Sequence, residues 1–290
     1  MGKIVRALSE DGGVLCSAIN STDMVRDAAR LHEASPVVAA ALGRMTTAAS
    51  IMGGMLKYEG DTLTLRINGG GACGTLTAVA DYRGNVKCCA GNAKANMPPK
   101  EDGSLDVAGI IGAEGTLTVV KDMGLKEPYC GQVPLRSGNI ADDITAYYAV
   151  SEQLPTVVSL GAVFGEGAKI EAAGGFMVQI VPPISDKAVK VLEDNIQNMD
   201  SINKMLEQGL DPEEIALKAL EGLGGEILDS WEAQYYCDCS RERTKGILMS
   251  LGKNEIERLA AEQEKTEVCC HFCNKKYTFS ADELLKMLKE

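Results

Sequence analysis

Two short cysteine pairs constrain this chain more than any other feature of it. Cys237 and Cys239 form a C-x-C within YYCDCS, thirty residues intervene, and Cys270 and Cys273 form a C-x2-C within VCCHFCNKKYTF. Residues two apart in an extended segment project to the same side, so both thiolates of the C-x-C can face one ion. The C-x2-C turn can face it from the opposite side. Four thiolates at about 2.3 Å complete a tetrahedral Zn²⁺ site and leave no open position for a substrate. Cys237, Cys239, Cys270 and Cys273 are therefore the candidate ligands for one Zn²⁺ per chain, in a structural or regulatory role rather than a Lewis-acid one.

Three neighbours compete for that assignment. His271 can in principle replace one sulfur, but a side chain between the two cysteines of a knuckle normally points out of it. Cys269 gives only a C-x3-C with Cys273, and its simpler role is a strand residue entering the site. His32 has no metal-type spacing to anything. A thioredoxin-like dithiol belongs at a strand-to-helix turn of a βαβ unit. Here the pair precedes KYTF and the capping-box pattern Ser280 to Glu283, which reads as a knuckle, a hairpin strand and a terminal helix.

Composition narrows the function classes. The chain has 290 residues, 45% of them hydrophobic but only 4% aromatic, which suits a core of Val, Ile, Leu, Ala and Met in more than one folding unit. No apolar run is long enough to span a bilayer, and MGKIVRALSEDGGV carries no long apolar h-region, so the expectation is a cytoplasmic protein with no membrane partner. In that reducing compartment, clustered thiols are metal ligands or redox groups more often than structural disulfides. Cys16, Cys73, Cys88, Cys89 and Cys130 are scattered and are expected as small buried hydrophobes. A formal net charge of −12 argues against nucleic acid, whose binding depends on Lys and Arg displacing counterions.

Along the chain, STDMVRDAARLHEASPVVAAALGRMTTAASIMGGML begins with helix-capping residues and continues as a small-residue helical pattern that Pro36 is expected to interrupt. From Asp61 the period changes. TLTLRI, GTLTAVA, NVKCCA, GTLTVV and QVPLR read as antiparallel strands between glycine-rich turns. DDITAYYAVSEQLP reads as a helix ended by Pro155, and residues 156–181 as a long hairpin turning at GEG. The expected fold class is α+β, with a domain over residues 1–182. Residues 183–230 read as an acidic, helical linker, capped at Ser185 and again at Asp211 before Pro212; residues 185–230 carry eleven acidic and four basic side chains. The cysteine-bearing segment is residues 231–290.

CDCS, the thirty-residue spacing and CHFCNKKYTF, together with STDMV, AALGR, VVKDMG, GQVPLRSG, SEQLP and AAGGF, closely resemble the heat shock protein 33 family of redox-regulated chaperones. The resemblance covers nearly the whole chain. It implies a sandwich-like N-terminal chaperone core, a helical linker and a small C-terminal zinc-binding redox switch. It further implies an ATP-independent holdase, not an enzyme, that is inactive when reduced and zinc-loaded. On oxidation, disulfides between near neighbours, here Cys237 with Cys239 and Cys270 with Cys273, accompany loss of zinc, dimerisation and capture of unfolding client proteins. Which thiols pair stays open at Cys269.

Physical chemistry makes such a switch reasonable. A segment of about sixty residues has little core of its own, and structural zinc supplies roughly 10–16 kcal/mol in small zinc domains. Oxidants attack thiolates, and zinc holds its ligands in that form. Should the linker pack its apolar side on the N-terminal sheet, unfolding of the zinc module would loosen it and bare that surface. Two readings from other classes remain. A zinc-ribbon nucleic-acid-binding protein needs a basic face, whereas residues 231–290 carry ten basic and eleven acidic side chains. A thiol-disulfide oxidoreductase needs turnover, and no nucleophile–base constellation stands out. NGGGACG lies between strands without a P-loop ending, and is expected to serve tight turns.

Overall fold

The computed structural model describes residues 1–288, and the chain divides into two compact units, Met1–Tyr236 and Cys237–Glu290. The first unit opens with a hairpin of β1 (Gly2–Leu8) and β2 (Val14–Asn20), followed by α1 (Thr22–His32) and α2 (Pro36–Gly53). The helical stretch is interrupted ahead of Pro36, as expected, and Pro36 itself starts the second helix. Ser35 caps α2 by accepting from the Val38 amide, and proline suits the first turn, where its missing N–H costs nothing. Strands β3 (Thr62–Asn68), β4 (Leu76–Asp81) and β5 (Val86–Ala90) come next, then α3 (Val107–Ile111), β6 (Thr116–Asp122) and β7 (Tyr129–Pro134). Helix α4 (Ile140–Tyr147), capped by Asn139, runs into a π-helical turn at Tyr148–Glu152.

The expected long hairpin is β8 (Thr156–Phe164) and β9 (Ile170–Ile180). Helices α5 (Asp186–Asn198), α6 (Ile202–Glu207) and α7 (Pro212–Ala219) follow, capped by Ser185, Ser201 and Asp211. The unit ends with β10 (Glu226–Ala233), which crosses the 230/231 boundary drawn from the sequence.

Two antiparallel five-stranded sheets result, ordered β10-β1-β2-β9-β8 and β5-β4-β3-β6-β7. Helix α2 lies between them. Of its 18 residues only Pro36 and Arg44 are not buried, and it shares one core with Ile4, Ile19 and Met177 of the first sheet and Leu63, Leu65 and Ile67 of the second. The first sheet is covered on its other face as well. Ala7, Val14, Cys16, Ala18, Phe176 and Val178 pack against Leu192, Ile202, Met205, Leu206, Ile215, Ala216, Ala219 and Leu220 of α5 to α7 and the residue after α7. The acidic helices thus bury their apolar sides on the sheet.

A short segment ties the sheets together. Val86 of β5 donates to the Gln234 carbonyl and accepts from the Tyr236 amide, while the Trp231 indole donates to the Arg83 carbonyl at 2.8 Å. His32 is a buried core histidine, its Nε2 donating to the Cys88 carbonyl at 2.8 Å. The glycines of NGGGACG do more than turn the chain. A Cβ on Gly71 would sit 2.3 Å from the Ile110 carbonyl oxygen, so glycine is what lets the loop donate from the Gly71 amide to Ile111.

The second unit comprises α8 (Arg241–Met249), α9 (Lys253–Glu262), the hairpin of β11 (Lys265–Cys269) and β12 (Lys276–Ser280), and α10 (Ala281–Met287). The capping box of Ser280 and Glu283 starts α10. Its core is small: Leu248, Ile256, Tyr277, Phe279, Leu284 and Met287 are its buried members. Arg241 stacks over the Phe279 ring at 4.3 Å and pairs with Glu283 at 2.6 Å. So small a core would gain from something further to hold it.

Candidate metal centre

That something is available where the hairpin turns. The Cys270 amide donates to the Lys275 carbonyl and the Asn274 amide to the Cys270 carbonyl, with Asn274 in the left-handed region at φ 57°. This tight turn presents Cys270 and Cys273 together. The extended residues before α8 present Cys237 and Cys239.

The four sulfurs all lie within 4.8 Å of one another. Across the two motifs, Cys237 Sγ is 3.6 Å from Cys270 Sγ and Cys239 Sγ is 3.4 Å from Cys273 Sγ. A tetrahedron with metal–sulfur bonds of about 2.3 Å has sulfur–sulfur edges of about 3.8 Å, so the donor set fits a zinc-type ion. A disulfide needs about 2.05 Å. All four are free thiols. Thiolate sulfur also selects zinc over hard cations such as Mg²⁺ or Ca²⁺.

Protonation differs among the four. Burial pushes the Cys237 thiol up, and burial likewise raises Cys273 to about 11. At Cys239 burial also acts upward, but hydrogen bonds from Tyr277 and the neighbouring thiols outweigh it and bring the thiol down to about 7. The Tyr277 hydroxyl lies 3.1 Å from Cys239 Sγ and 2.9 Å from the Cys239 carbonyl. It is a positioning group that the sequence reading missed. The sequence signals only that Tyr277 and Phe279, two apart on β12, share one face; it does not signal the contact with Cys239.

His271 and Cys269 stay outside the four-sulfur cluster. Cys269 is exposed on β11, opposite Lys276. Of the scattered thiols, Cys16, Cys73 and Cys88 are buried, and burial raises them to about 12, 11 and 12, which makes them poor nucleophiles. Cys89 is half-buried and Cys130 exposed, against expectation. Cys130 lies on β7, an edge strand whose outward positions face solvent.

Among the described residues no helix is long and apolar enough to cross a membrane. The sequence model of a family described as Hsp33 protein matches residues 2–280. The chain is 45% identical over 287 residues to the 33 kDa chaperonin of Clostridioides difficile (strain 630), covering 99% of this chain and 98% of that one. It is 42% identical to the 33 kDa chaperonin of Clostridium botulinum (strain 657 / Type Ba4), covering 99% and 97%. Its backbone is similar to the crystal structure of the 33 kDa chaperonin (heat shock protein 33 homologue) of Thermotoga maritima, with a TM-score of 0.90, 36% identity and coverage of 99% and 97%. Agreement in sequence and backbone over nearly the full length, reaching from the two-sheet unit to the cysteine hairpin, means that the chain belongs to the Hsp33 family, which supports a chaperone function.

Proposed function

We propose that this chain is a redox-regulated, ATP-independent holdase of the cytoplasm. Cys237, Cys239, Cys270 and Cys273 hold one Zn²⁺ in the reduced state; the ion, when bound, keeps the four sulfurs as thiolates and fastens a unit whose own core is too small to be secure. The observation that carries the reading is the convergence of these four thiols, two from each motif, to within 4.8 Å. Cys237 joins Cys239, and Cys270 joins Cys273, when peroxide or hypochlorous acid takes two electrons per disulfide. Disulfide sulfur is no longer a thiolate ligand, so the module gives up its zinc and its fold.

Loss of the module over residues 231–290 then destabilises the linker over residues 183–230. Its helices cover the apolar face that includes Val14, Ala18, Phe176 and Val178. Bared, that face binds unfolding client proteins and supports a homodimer. Neither nucleic acid nor a membrane is needed.

The test is light scattering of a heat-aggregating protein with this chain, reduced and zinc-loaded against oxidised, while zinc release and peptide-mapped disulfides are followed in parallel. Suppression by the oxidised form alone is expected. Equal suppression by the reduced form, or an inactive oxidised form that has lost its zinc, refutes the reading. A mapped bridge through Cys269 refutes the pairing.

A further inference from the structure

Helix α2 carries a charge where a buried helix has no ordinary use for one. Arg44 stands in the middle of its 18 residues, of which all but Arg44 and Pro36 are buried. Burial lowers the Arg44 pKa, and only the field of Asp142 opposes that effect. Its Nε is shut away from solvent with no hydrogen-bond partner, and no carboxylate closes an ion pair with it among the described residues. Arg44 is half-buried, and a shielded polar atom without a partner is uncommon enough to ask what could satisfy it.

Arg44 lines a cavity of about 420 Å³ between α2, the segment around residues 100–108, β8 and α6. Its walls suit one kind of guest. Leu105, Val163 and Phe164 supply apolar surface, while Asn139 and Asn203 supply amides. Asn139 spends its Oδ1 on capping α4, which leaves its Nδ2 to donate. Of the other charged residues on the wall, Lys100 pairs with Asp106 at 3.7 Å, and Glu207 is exposed at the end of α6. One guanidinium is left over. A planar guanidinium matches a carboxylate through two parallel hydrogen bonds, and the nearby Glu207 disfavours a dianion.

We propose that this cavity binds a small monocarboxylate with an apolar tail, its head on Arg44 and its tail against Leu105, Val163 and Phe164. The site is separate from the cysteine cluster but shares α6 and Val163 with the docked linker helices, so it belongs to the reduced chain with α6 in place, and binding there does not depend on the redox reading.

Isothermal titration calorimetry of the full-length reduced chain with hexanoate and benzoate tests it. Saturable one-to-one binding is expected, weakened at least about tenfold by Arg44→Met and tightened about threefold by Glu207→Gln. Unliganded Arg44→Met should melt no lower than the parent, because it removes the unpartnered Nε and keeps an unbranched side chain in its place. Should that variant fail to fold, Asn203→Asp, at an exposed position, decides: at least fivefold weaker binding supports the site. No saturable heat at about 20 mM hexanoate or benzoate, unchanged binding in Asn203→Asp and Glu207→Gln, or tighter binding of phenyl phosphate overturns it.

Discussion

Ile215 offers a direct way to separate the linker helices from the chaperone core without touching a thiol. It is 1% exposed on α7 and packs in the cluster that joins α5 to α7 to β1, β2 and β9. Ile215→Ala removes three carbons, about 2.4 kcal/mol at about 0.8 kcal/mol for each. The cavity left behind adds to that, for a total of about 3 kcal/mol. Alanine keeps the helix, so the cost falls on docking rather than on α7 itself. At about 1.4 kcal/mol per tenfold, docking weakens about 100-fold. Hydrogen exchange of the reduced, zinc-loaded variant should show α6 and α7 opening about 100-fold more often while α2 keeps its protection. The same sample should suppress client aggregation without oxidant. Equal loss of protection in α2 and α7 refutes the idea that the linker helices open as a separate unit. Faster opening with no gain in suppression refutes the assignment of the covered face as the client surface.

Three further outcomes concern the cysteine unit. Metal analysis of Cys237→Ser with Cys273→Ser should find less than one tenth of the parent's zinc, since a closed site loses half its donors; undiminished zinc sinks the ligand assignment. Chelation under reducing conditions should erase exchange protection in residues 237–288 and leave α2 and the two sheets protected, because metal binding and folding of a small unit are one equilibrium. Tyr277→Phe keeps the ring but removes the hydroxyl at 3.1 Å from Cys239 Sγ, so Cys239 should titrate above its value of about 7 and be less ionised at neutral pH. Zinc affinity should fall about tenfold, and more at lower pH, where protons compete better for the sulfurs; an unshifted thiolate absorbance titration contradicts that role.

Much of the cysteine unit was legible because its determinants are local. The spacing of Cys237, Cys239, Cys270 and Cys273 names a donor set, KYTF reads as the strand that becomes β12, and Ser280 with Glu283 announces α10. Ser185, Asp211 and Pro212 mark helix starts in the same way, since a cap acts within one turn. Tyr277 was not read as part of the site because its hydroxyl reaches Cys239 across 38 positions of sequence. Cys130 was misplaced for a related reason: whether a strand lies at a sheet's edge is set by its neighbours, not by its own residues.

What the sequence determined by itself is the chemistry and the local punctuation: four thiols at metal spacing, helix caps, the hairpin over β8 and β9, and an acidic amphipathic linker. Only the tertiary structure decided that there are two sheets. Strands β1 and β2 belong to a sheet covered on both faces, by α2 on one side and α5 to α7 on the other, so β2 shows buried residues in succession rather than alternation. Strand β10 does alternate, but its inward row includes Asp229, which makes sense only beside Arg6 of β1, its register partner at the far end of the chain. Periodicity records the contrast between a wet face and a dry one. Where both faces are dry, or where a charge is neutralised by a residue more than two hundred positions away, that contrast vanishes from the sequence and only packing restores it.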